Sequence, residues 1–165
     1  MLRATHTFFP LPAVAIASLL AGVLAHSAHA AAENPFPALA GTWSGSGTAT
    51  LEGGKTESLR CKGYYTNGGG GSALGLSIRC ANASAKVELR ANLNYSNGAV
   101  SGSWEERTYN QSGTVSGRAS DNKVSLAISG GITGSLSLSL SGKRHSVAVS
   151  TGGSALKGIN ISMTR

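Results

Sequence analysis

The chain has 165 residues, with 14 basic and 7 acidic side chains for a formal charge of +7, and only 5% aromatics. That length suits one modest domain. Past the first thirty residues the possible soft ligands are two cysteines and one distant histidine, His145, too few for a metal site, so no metal and no cofactor is expected.

Reading from the N-terminus, Arg3 opens a positively charged start. "AVAIASLLAGVLA" follows as an apolar run over 13–25, and "AHA" over 28–30 offers a small-residue cleavage site. This pattern is a secretory leader over 1–30, and its apolar run is too short to cross a bilayer. "LAGV" carries Val23 where a lipidated cysteine would stand. Removal of the leader takes His6, His26 and His29 with it and leaves His145 as the mature histidine. The protein is expected to be secreted or periplasmic and not membrane-spanning. Its mature part divides into an N-terminal segment over 31–40 and a single barrel domain over 41–165.

From Gly41 onward apolar residues alternate with Ser, Thr, Asn, Lys and Arg, as in "GSLSLSLSG" and "GINISMTR". Alternation predicts antiparallel strands with one buried and one wet face. Strands are expected near 42–52, 56–65, 73–81, 85–95, 99–108, 112–119, 123–129, 133–141, 144–150 and 157–165. Every connection is short except "STGGSALKG", so the all-β chain should be an antiparallel up-and-down meander of about 8–10 strands. Closing it into a barrel removes its edges.

Turn chemistry sets register. Asn97-Gly98 places Tyr95 opposite Val100, Leu93 opposite Gly102 and Ala91 opposite Trp104. Asp121-Asn122 places Ala119 opposite Val124, Gly117 opposite Leu126 and Val115 opposite Ile128. Gly142-Lys143 places Leu140 opposite His145, Leu138 opposite Val147 and Leu136 opposite Val149. A turn centred on the four glycines 68–71 pairs Tyr65 with Leu76, Gly63 with Ile78 and Cys61 with Cys80. The last pair predicts a cross-strand disulfide, Cys61–Cys80, that clamps a glycine-rich hairpin in an oxidising compartment.

"LAGTWSGSG" near the start and "INISMTR" at the end resemble the calycin barrels, the lipocalin, avidin and fatty-acid-binding type. In those families a Gly-x-Trp opens the first strand and a basic residue of the last strand packs across the tryptophan. The resemblance implies a barrel-closing pair of Trp43, preceded by Gly41, and Arg165, with "NPFPALA" capping the closed end. It covers only the two ends. A short Gly53-Gly54 turn stands where fatty-acid-binding proteins have a helical lid, and the biotin-contacting aromatics of avidins have no counterpart. The mature chain is also similar in style to small exported alphaproteobacterial proteins of unknown function.

No catalytic motif is present. There is no Gly-x-Ser-x-Gly elbow and no phosphate loop, and Glu105 and Glu106 point to opposite faces of one strand. His145 reads as a satisfied or rim-exposed histidine, and the protein is expected not to be an enzyme. The interior list suggests a ligand site lined by Trp43, Tyr65, Tyr95, Trp104, Glu106 and His145. Outside, Arg60, Lys62, Arg79, Lys86 and Arg90 gather as a basic patch, with Lys62 opposite Arg79. No aromatics interleave with them, which argues against nucleic acid. Three roles follow as expectations: a barrel for a small hydrophobic ligand, a protease-inhibitor-like module using "AAENPFPALA", or a structural protein held electrostatically to an anionic envelope surface.

Overall fold

The computed structural model describes residues 33–83 and 85–165; the leader expected over 1–30 lies outside the described residues. A four-residue helix, α1 (Phe36–Leu39), precedes ten strands. They are β1 (Gly41–Leu51), β2 (Thr56–Gly68), β3 (Ala73–Ala81), β4 (Lys86–Ser96) and β5 (Ala99–Glu106), followed by β6 (Gln111–Ser120), β7 (Lys123–Gly130), β8 (Thr133–Ser141), β9 (Arg144–Gly152) and β10 (Leu156–Thr164).

Each strand pairs antiparallel with the next, and β10 returns to pair with β1, closing a ten-stranded up-and-down barrel. All twelve pairings drawn from turn chemistry are present. Asn97 and Gly98 both adopt positive φ, 48° and 82°, as a two-residue hairpin turn that follows the sheet twist requires. Cys61 and Cys80 are bonded with Cα atoms 4.1 Å apart.

Two boundaries differ from expectation. β2 runs on to Gly68 because Thr66, Asn67 and Gly68 stay paired with Gly75, Leu74 and Ala73, which leaves only 69–72 as turn. The segment expected to be a long loop shrinks to 153–155, since β9 extends to Gly152 and β10 begins at Leu156. The register slips once at that edge, between Thr50 and Leu51 of β1.

Closure brings β1 and β10 very close. A Cβ at Gly45 would overlap the Ser162 carbonyl, and one at Gly47 the Asn160 carbonyl. Glycine is needed at these inward positions because a neighbouring backbone fills the side-chain space.

The strand order gives the barrel two unlike ends. Turns 69–72, 97–98, 121–122 and 142–143 share one end with α1; turns 52–55, 82–85, 107–110, 131–132 and 153–155 share the other. At the α1 end the inward side chains are sealed: Phe36, Leu39, Trp43, Leu74, Val100, Met163 and His145 are all buried. Toward the other end burial is mixed: Leu59, Trp104, Val115 and Glu106 are buried, while Leu89, Ile128, Leu136 and Ile159 are only partly so.

Candidate functional site

The floor of the barrel is built from α1 with the residues just before it, the start of β1 and the end of β10. Asn34 accepts from the Phe36 amide at 3.0 Å and donates to the Gly71 carbonyl at 2.8 Å, so the segment before α1 is tied to the β2–β3 turn. Phe36 inserts and meets Tyr95 edge-on at 5.9 Å. The Trp43 indole donates to the Leu39 carbonyl at 2.8 Å, fastening α1 to β1. On the Trp43 ring sits the Arg165 guanidinium, 4.6 Å from its centroid, and this guanidinium also donates to the Ala40 carbonyl. Cation–π attraction and a charge-assisted hydrogen bond thus hold β10's end to β1's beginning. The Trp43–Arg165 pairing expected of this position is present in the geometry.

His145 lies beneath this closure. Its ring packs edge-on to Trp43 at 4.5 Å and tilted against Tyr65 at 5.5 Å. It is wholly buried, and neither Nδ1 nor Nε2 has a hydrogen-bond partner among the described residues. The satisfied or rim-exposed histidine expected from sequence is therefore neither. The surrounding groups are apolar or π faces: Trp43, Tyr65, Leu140 and Met163, the last two its register partners. Burial, aided by the nearby Arg165 charge, pushes the imidazole pKa down to about 4. Burial likewise pushes the Tyr65 phenol up, and its hydroxyl meets only the Met163 thioether at 3.8 Å.

The six tentative ligand residues therefore separate. Trp43, Tyr65 and His145 are floor, closed over by α1, and Tyr95 packs on Phe36 at the same end. Glu106 is buried at the far end, but its carboxylate accepts from the amides of Thr108 at 2.9 Å, Tyr109 at 2.7 Å and Glu88 at 3.3 Å. It shapes the β5–β6 turn and ties it to β4. Trp104 lies toward the open end, where its indole reaches the Ser129 carbonyl at 3.2 Å, across Gly113 and Gly130.

Above the floor stands a wall that had been read only as part of the interior. Leu76, Ile78, Leu89, Ile128, Leu136, Leu138 and Ile159 point inward yet are only partly buried. In a closed barrel the remaining accessible surface of an inward side chain faces the lumen. Leu76, Leu89 and Leu138, near the middle of their strands, are among these half-buried side chains. Cys80, half-buried, adds the disulfide to the same wall.

On the outer face Lys62 opposes Arg79 as expected, but Arg79 is also opposite Glu88. Glu88 pairs with Arg79 at 3.3 Å, Arg90 at 2.8 Å and Arg107 at 4.0 Å. Arg90's hydrogen bonds, with the Arg79 charge beside them, hold the Glu88 carboxyl below its usual range. The basic patch therefore splits into a compensated pair, Arg79 and Arg90, and three cations, Arg60, Lys62 and Lys86, with no carboxylate partner among the described residues. The signal for this was in the register, which sets Glu88 beside both arginines.

No protein-family model and no curated protein matches the chain. Among solved structures, Rv2717c from M. tuberculosis superposes with a TM-score of 0.61, covering 77% of this chain and 92% of that one at 13% identity. At that identity the likeness is one of fold, a barrel, and carries no activity with it. No described helix is long and apolar enough to cross a membrane, and the disulfide suits an oxidising compartment.

Proposed function

We propose that the chain is an exported, non-enzymatic barrel of calycin type that holds a small apolar ligand in its lumen. One observation carries this reading: mid-strand aliphatic side chains that point into a closed barrel remain partly accessible. A filled core would bury them, as it buries the floor. Pockets of this kind, apolar and largely preformed, are the usual form of small-molecule sites. The Gly41-Thr42-Trp43 start and the Arg165 clasp support the calycin likeness, and the leader with the disulfide supports export. Native mass spectrometry on protein purified without denaturation, with uptake of an uncharged fluorophore, tests the proposal. A co-purifying apolar mass or saturable uptake is expected; a bare protein that takes up nothing removes it.

A second reading rests on Arg60, Lys62 and Lys86. These three cations, on β2 and β4 on either side of β3, suit attachment to an anionic envelope surface. Sedimentation with anionic vesicles that collapses as salt rises is the expected result, since screening shortens the reach of exposed charge. Salt-insensitive binding, or none, removes this reading. The inhibitor-like role is weakened by the placement of "NPFPAL": Phe36 and Leu39 plug the barrel floor, so the segment is not free to enter a protease.

A further inference from the structure

Resting on the lumen reading, we infer that the ligand is a hydrocarbon chain taken tail-first and held with no recognition of its head group. Polar groups on the inward face are confined to the two ends of the barrel. At the floor, His145 and Tyr65 are sealed between Trp43, Met163 and α1, and Tyr95, half-buried, has its ring packed on Phe36. At the mouth, every inward polar side chain is already engaged by its own surroundings. Glu57 is bonded to Lys55 at 2.9 Å and to Asn82. Glu106 accepts from the amides of Glu88, Thr108 and Tyr109, Gln111 donates to the Tyr109 carbonyl, and Thr151 is bonded to the Leu156 carbonyl.

Between those ends the inward positions are aliphatic side chains, glycine, Trp104 and the disulfide. A ligand head group carried into that zone would lose its water and find no partner, a penalty no contact there offsets. The head group must then stay at the mouth, in water, and contribute little to affinity. The chain supplies the binding, at a rate set by methylenes removed from water. Arg165, the cation that would hold a buried carboxylate, is outside the floor on the far side of Trp43 and cannot serve.

The test uses the full chain and N-phenyl-1-naphthylamine as the lumen probe, displaced by dodecanoate, dodecanol and dodecyltrimethylammonium below their micelle concentrations. The three displacement constants are expected to agree within about threefold, while octanoate is weaker on the order of a hundredfold, as loss of four methylenes implies. A preference above about tenfold for one head group overturns head-group blindness while leaving the lumen reading standing. Failure of the probe to bind at all overturns both. Leu89→Trp and Leu138→Trp, on different strands of the wall, should each cut probe binding by about tenfold or more by filling space. If both variants keep their disulfide and their far-ultraviolet spectrum yet bind as before, the site is elsewhere and the inference is wrong.

Discussion

At His145 the cost of burial falls on one side chain. A neutral imidazole has one donor and one acceptor, and here both are orphaned among Trp43, Tyr65, Leu140 and Met163. Each unsatisfied group costs about 1–3 kcal/mol. Protonation makes matters worse, because the charge must form at full burial and beside Arg165. With the folded pKa near 4 against about 6.5 unfolded, the unfolded chain binds more protons between those values. Stability is therefore intact above about pH 6.5 and declines as pH falls toward 4, by on the order of 3 kcal/mol at most. The other charged residues at this end are Arg165, Arg144, Lys143, Lys123, Arg118, Glu33 and Asp121. His145→Leu removes the orphaned nitrogens and should leave stability at neutral pH equal or about 1 kcal/mol higher. Urea unfolding of both proteins at several pH values reads this directly: their curves should converge at neutral pH or favour the variant, and diverge in acid. Equal slopes between pH 6.5 and 4 would show that His145 contributes nothing. The inward parity of His145 was legible in the sequence; its isolation was not, because that depends on which groups fail to approach it. Glu106 is the converse, an inward carboxylate whose partners are backbone amides with no sequence signature.

Among the elements, the β2–β3 hairpin and α1 divide the work of holding the floor. The hairpin turn has Gly69, Gly70 and Gly71 at positive φ, a freedom that is entropically costly to lose on folding. The Cys61–Cys80 bond restricts that freedom in the unfolded chain. With the cysteines 19 apart, the loop-closure argument gives about 3 kcal/mol. Reduction, or Cys61→Ala with Cys80→Ala, should lower the denaturant midpoint accordingly, and an unchanged midpoint would assign the hairpin's stability to pairing alone. α1 is too short to persist alone and is held by what it buries. Phe36→Ala should cost about 3–5 kcal/mol and expose the floor, read as a lower melting temperature and faster proteolysis near 33–40. The hairpin was fully legible, since turn residues and alternation fix register together. Strand ends were less so: pairing continued through Thr66–Gly68 and into 151–152, where threonine, asparagine and glycine carry no apolar alternation to read.

For the molecule as a whole, the defining event is closure of β1 on β10. Until that seam forms, a ten-strand meander has two open edges, each able to pair with another chain. The sequence pattern favoured closure only by this edge argument and by the Trp43–Arg165 resemblance, because no turn joins β1 to β10. The seam also has a steric condition that alternation cannot express, since it concerns the absence of a side chain. At Gly47 the β10 backbone occupies the place of a Cβ, with the Asn160 carbonyl and Ile161 Cα in the way. Gly47→Ala must therefore push β1 off β10, and since the obstacle is backbone it cannot rotate aside. The expected loss is about 1–3 kcal/mol or more, with amide exchange rising first in β1 and β10 and with concentration-dependent association as the edges appear. Gly152→Ala is the matched control. Its φ is ordinary, and the nearest atom to an added Cβ is the Thr133 hydroxyl at 3.7 Å, so it should fold and exchange as the parent does. If Gly47→Ala also behaves like the parent, the seam tolerates a side chain and closure does not depend on the β1 glycines.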